Sequence, residues 1–129
     1  MKSKRDMFNI VPMGTLNICQ IEELVRDKVP DIIKESGKNA NFRVLSDDEY
    51  KQALKEKMTN EVSALMEAKT VEEITEQLGD IQTLIGHLLH AYNISEDDFI
   101  ISNIAKDNEK GMFMNRYFLE SVSFIDSKE

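Results

Sequence analysis

The chain has 129 residues, 41% hydrophobic and 31% charged, with a formal net charge of -8, which fits one domain with a single modest core. The balance is too charged, and too free of long apolar runs, for a membrane span. It argues equally against a general nucleic-acid polymer binder, because a phosphate backbone recruits basic surfaces. Small nucleotides stay open, since a few local Lys and Arg or a metal can meet their phosphates. The one cysteine, Cys19, forms no intramolecular disulfide and fits a reducing, cytoplasmic setting. A small buried or half-buried thiol explains it more simply than a nucleophile does.

Residues 1–20 begin basic and turn mildly apolar, but Asn9, Pro12, Gly14, Thr15 and Asn17 break the run that a secretory signal needs. They are expected to form an N-terminal extension, a strand or a poorly ordered arm, ahead of one domain over 21–129. Ile21 to Lys28 carries a short helical pattern (Ile21, Leu24, Val25). Pro30 suits a first helical position and opens a second short helix that ends at Gly37. Residues 38–45 are a loop with a possible strand at Phe42, Arg43 and Val44.

Ser46 followed by Glu49 has capping-box spacing, and Tyr50, Leu54, Met58, Val62, Leu65 and Met66 follow at helical period. A helix to about Ala68 is predicted, with Met58, Leu65 and Met66 as core filler. Thr70 with Glu73 repeats the start signal, and a strongly apolar helix runs to about Tyr92, with Asn93 as its stop. Ser95 with Asp98 opens a further helix that ends at Gly111. The tail is rich in aromatic and branched residues and looks extended. The fold class is therefore mainly α: a small helical bundle built on an antiparallel hairpin, 46–68 and 70–92, with 95–110 packed on it and short extended segments at both ends.

In such a hairpin, residues equidistant from the turn lie at one level. Glu61 should face Asp80, and Ala64 should face Gln77; each helix brings its two positions onto one face by i, i+3 spacing. Two facing carboxylates make a reasonable Mg²⁺ seat, although Glu and Asp on helices are mostly just solvated. His87 and His90 have no Cys or His at ligand spacing, which argues against zinc.

Four blocks carry a family resemblance: LVRDKVPDIIKESGK (24–38), RVLSDDEYKQALKEKM (43–58), the hairpin, and KGMFMNRYFL (110–119). Together they resemble the house-cleaning nucleoside triphosphate pyrophosphohydrolases, a branch of the all-α, MazG-like superfamily, over roughly residues 22–120. The resemblance implies a helical nucleotide-binding fold, usually a homodimer or homotetramer. It also implies hydrolysis between the α and β phosphates, with Mg²⁺ held by Glu-Glu-x-x-Glu on one helix and Glu-x-x-Asp on the next. The first motif falls on Asn60 to Ala64 and the second on Gln77 to Asp80. Of the four ligands Glu61 and Asp80 survive, while Ala64 and Gln77 have lost theirs; Asn60 replaces the leading Glu.

Arg26, Asp27 and Lys28 in the first block, with Lys106, Lys110 and Arg116 in or near the last, are candidate phosphate contacts. Alternatively, Arg26–Asp27 and Arg116–Glu120 are structural ion pairs. The leading reading is a nucleotide-binding protein that has lost efficient hydrolysis and sequesters or senses its ligand. One use would be a sponge for a nucleotide second messenger in a counter-defence against nucleotide signalling. The alternatives are a Mg²⁺-dependent pyrophosphatase in which Glu61 and Asp80 still suffice, and a helical protein-interaction module with a vestigial pocket.

Overall fold

Capping chemistry sets the architecture. A computed structural model of the chain describes residues 9–13 and 16–125, with the backbone alone for 9–13 and 16–20. The chain divides into two compact units, one ending at Ile94 and the other beginning at Ser95. The protein is mainly α. Within the extension, β1 (Asn9–Met13) and β2 (Leu16–Gln20) form an antiparallel pair with Asn9 opposite Gln20 and Met13 opposite Leu16. Residues 1–8 and 14–15 of that extension, and the side chain of Cys19, lie outside the described residues.

The helix expected over 21–28 does not form; the stretch runs irregularly into a turn, with the Val29 N–H donating to the Arg26 carbonyl at 3.0 Å. A helix that short cannot offset its nucleation cost without packing. Its side chains are committed elsewhere, to ion pairs described below. Helix α1 (Val29–Glu35) has Pro30 in its first turn, where the missing N–H costs nothing. It ends as the sequence indicates. Gly37 sits at φ +86° and donates to the Lys34 carbonyl at 3.0 Å, and Lys38 donates to Ile33 at 3.3 Å, the two bonds of a Schellman stop.

The possible strand at Phe42 to Val44 is also absent. Among the described residues nothing pairs with it, and a lone extended segment leaves its ladder groups to water. Arg43 instead forms a two-pronged ion pair with Glu49, at 3.2 and 2.8 Å. Glu49 is the acid of the capping box on Ser46, which starts α2 (Asp47–Glu67). Arg43, and after it the two Ser46 hydrogen bonds, hold this carboxyl down at about 2.

Three residues then lead to α3 (Val71–Ala91), capped by Thr70 through the Glu73 N–H at 3.1 Å. Asn93, at φ +56°, closes α3 with a second Schellman pair, to His90 at 3.1 Å and from Ile94 to Leu89 at 2.8 Å. The two helices pack as a hairpin. The antiparallel sense shows at the open end, where Lys51 and Lys55 of early α2 stand 5.0 and 5.1 Å from the ring centre of Tyr92, just past the end of α3. Each such cation–ring contact contributes roughly 0.5–1 kcal/mol at an exposed site.

Among the described residues Leu54 and Leu84 are the apolar side chains buried outright, each worth about 1.5–3 kcal/mol. Two helices cover only one face each. Met66, expected in the core, is 81% exposed, and Val71 and Leu78 are exposed as well, at 74% and 51%. In the second unit, Ser95 caps α4 (Glu96–Lys110) through the Asp98 N–H at 3.0 Å, and Gly111 ends it at φ +80°. Residues 111–125 carry neither helix nor strand, and one turn joins the Arg116 N–H to the Phe113 carbonyl at 3.2 Å.

Candidate functional site

The hairpin positions Glu61 on α2 and Asp80 on α3, and each meets a cation supplied by the chain itself. Asp80, three-quarters covered, accepts from the Arg26 Nη2 at 2.8 Å. Glu61 is the most deeply buried charged residue described, at 4% exposure. The Lys57 Nζ stands 3.9 Å from it, one helical turn back, and 3.7 Å from Glu23. Burying a carboxylate in a hairpin is costly unless a counter-charge accompanies it. Lys57 is suited to that, because its stem is only 21% exposed and its ammonium lies between two acids.

The segment 23–26 is thus tied to the hairpin twice, Glu23 to α2 and Arg26 to α3. This double tie accounts for its irregular backbone: Glu23 and Arg26 must reach different helices, and the turn after Arg26 then launches α1.

Gln77 is half-buried, and its Oε1 is buried without a hydrogen-bond donor. Ala64 is half-buried and Asn60 exposed on α2. Asp27 is exposed in the turn before α1, and Lys28 is the N-cap residue of α1, using its backbone carbonyl to accept from Ile32 at 3.0 Å. Lys106 and Lys110 lie on α4 and Arg116 beyond it, all in the unit that starts at Ser95.

The structure therefore joins Arg26 to the hairpin acid Asp80. It adds two residues that the sequence reading passed over. Lys57 carried a legible signal, the i, i+4 spacing to Glu61; Glu23 carried none, because its partner is far along the chain.

The donor set can be tested against Mg²⁺. Among the described residues no three His, Cys, Asp or Glu side chains come together as a metal-binding group. A metal at Glu61 and Asp80 would have to displace two cationic side chains, and Gln77 offers only a neutral oxygen. The residues present do not fit the multi-metal site that the resemblance implies.

No family model matches the chain, and no solved structure matches it. A stretch of 48 residues is 48% identical to an uncharacterised protein of Mycolicibacterium smegmatis, covering 37% of this chain and 49% of that protein. The chain thus matches about half the length of that relative. Among the described residues no helix is long and apolar enough to cross a membrane.

Proposed function

We propose that this protein binds a nucleotide and does not hydrolyse it efficiently. The observation that carries the reading is the pairing of both surviving carboxylates with internal cations, Arg26 on Asp80 and Lys57 on Glu61. Each cation takes the place that a metal would need. The same two groups can turn to a phosphate: a guanidinium gives bidentate donors, and an ammonium gives a point charge. Losing carboxylates at 64 and 77 also removes charge that would repel an anion. Retention without turnover suits sequestration or sensing of a signalling nucleotide in the cytoplasm.

The test is incubation of the protein, in molar excess, with nucleoside triphosphates, cyclic nucleotides and adenine dinucleotides, with Mg²⁺ and with EDTA. Free ligand is measured by liquid chromatography and mass spectrometry before and after heat denaturation. Disappearance followed by intact recovery is the expected result. Monophosphate and pyrophosphate appearing only with Mg²⁺ would make the protein a pyrophosphatase. Indifference to every nucleotide would leave an interaction module.

We further propose a homodimer or homotetramer, supported by the exposed apolar side chains of Met66, Val71 and Leu78 around the hairpin turn. A monomer by sedimentation equilibrium would refute it.

A further inference from the structure

A shallow recess lies beside α1, lined by none of the hairpin acids. It has a volume of about 380 Å³ and is lined by Pro30, Asp31, Lys34, Asn39, Ala40 and Phe42, within the range of small-molecule sites. Its wall is fixed at both ends. On one side the Schellman stop of α1 folds the chain back; Gly37 is needed there for its φ of +86° alone, since a Cβ would meet nothing within 4 Å. On the other side Arg43, next to Phe42, is clamped to Glu49 at 2.8 Å. Between these anchors Phe42 presents an aromatic ring that is 70% exposed. Among the described residues no strand or core claims it.

We propose that this recess is the nucleobase site, an inference that rests on the nucleotide-binding reading above. The lining suits a planar heterocycle better than a plain hydrocarbon. Phe42 offers a ring face for stacking, with Pro30 and Ala40 as apolar neighbours. Asn39 both donates and accepts, Asp31 accepts, and Lys34 donates. A phenyl ring would leave all three polar groups unused, whereas the edge of a base uses donors and acceptors together. Asp31 accepts from an N–H on the base edge, an exocyclic amino group or a ring N–H. The recess and Arg26 belong to one continuous segment, because the Arg26 carbonyl anchors the turn that opens α1.

The test is calorimetric titration of the wild type, Phe42→Ala, Phe42→Tyr and Asn39→Ala with ATP, GTP, CTP, UTP, cyclic AMP, cyclic di-AMP and NAD, and with inorganic tripolyphosphate as a probe lacking a base. Circular dichroism confirms folding, which the exposure of Phe42 favours. Phe42→Ala should weaken the best-bound nucleotide about tenfold or more, the scale of one base–aromatic stack. Phe42→Tyr should bind as the wild type does, Asn39→Ala should weaken binding, and tripolyphosphate should be unaffected throughout. A nucleotide that binds the wild type and Phe42→Ala equally would place the base elsewhere and overturn this inference, leaving the nucleotide-binding reading intact. A wild type that binds none of the nucleotides would overturn both.

Discussion

The Arg26 guanidinium bonds to the Asp80 carboxylate at 2.8 Å across 54 residues of sequence. The pair joins an irregular segment to the second helix of the hairpin, at a position where the family resemblance expects a metal ligand. Arg26 is 66% exposed and Asp80 23%, so the guanidinium is open to solvent, where a charged ligand can compete for it.

Substitution at the two ends should have opposite effects on binding. A solvent-exposed ion pair contributes roughly 0–1 kcal/mol to stability, so Arg26→Ala should shift the urea midpoint little. It should weaken nucleotide binding about tenfold to a hundredfold, because a hydrogen bond to a charged group is worth about 1.5–3 kcal/mol. Asp80→Asn releases Arg26 from its competitor and should strengthen binding. An enzyme that used Asp80 as a metal ligand would instead lose turnover on that substitution, so affinity and product formation measured together separate the two roles.

Lys57 is expected to matter more for folding than Arg26 does. Its ammonium is set between Glu23 and Glu61, and truncating one partner of a mostly buried polar contact costs about 1–3 kcal/mol. Lys57→Met should therefore lower the unfolding free energy by about that amount. The double variant Lys57→Met with Glu61→Gln should recover part of the loss, since the remaining side chain no longer carries a charge. Urea denaturation of the four members of this cycle measures the coupling directly. Strict additivity would show that Lys57 does not act through Glu61.

The Arg43–Glu49 pair predicts an acid transition. Glu49 titrates at about 2 in the folded protein against an ordinary 4.5. Its folded value is the lower one, so the pair stabilises the fold above about 4.5 and that support is lost as the pH falls towards about 2. The group is exposed, so salt should weaken the effect. Carbon-13 titration of the Glu49 carboxyl should show the depressed midpoint, and Arg43→Ala should return it towards 4.5. A midpoint near 4.5 in the wild type would mean that Arg43 does not hold the carboxyl in solution.

The elements best legible in the sequence were those with local signals at both ends. Ser46 with Glu49, Thr70 with Glu73 and Ser95 with Asp98 mark three helix starts, and Gly37, Asn93 and Gly111 mark three stops, all through contacts within five residues. The expectations at 21–28 and 42–44 rested on short apolar patterns whose outcome depends on packing, and packing did not support them. Met66 shows the same limit: helical period puts it on a face, but only the partner helix decides which face is covered. At the candidate site, Glu61 and Asp80 could be named from spacing, whereas Arg26–Asp80 and Glu23–Lys57 are long-range pairs with no signature along the chain. Of the lining residues, Asn39 and Ala40 read only as loop and Phe42 as the start of a short strand, so no spacing along the chain points to a recess there.

Adding carboxylates at 64 and 77 should create sensitivity to metal. In Ala64→Glu and Gln77→Glu, singly and together, new carboxylates join Glu61 and Asp80 on the hairpin, Gln77→Glu at a site where the present Oε1 is buried without a donor. Like charges brought together destabilise the fold when no cation is present, so the variants should melt below the wild type in EDTA. A divalent ion that binds only the folded state should then stabilise them by mass action, by about 2.7 kcal/mol at a hundred times its dissociation constant, and so raise their midpoints. The half-buried position 64 keeps the test usable if the substitution at 77 proves too costly to fold. The wild-type melting temperature should be indifferent to Mg²⁺, because Arg26 and Lys57 already neutralise its two carboxylates. A wild type stabilised by Mg²⁺ as strongly as the variants would mean that those cations yield readily to a metal, and the case for retention without hydrolysis would fall with them.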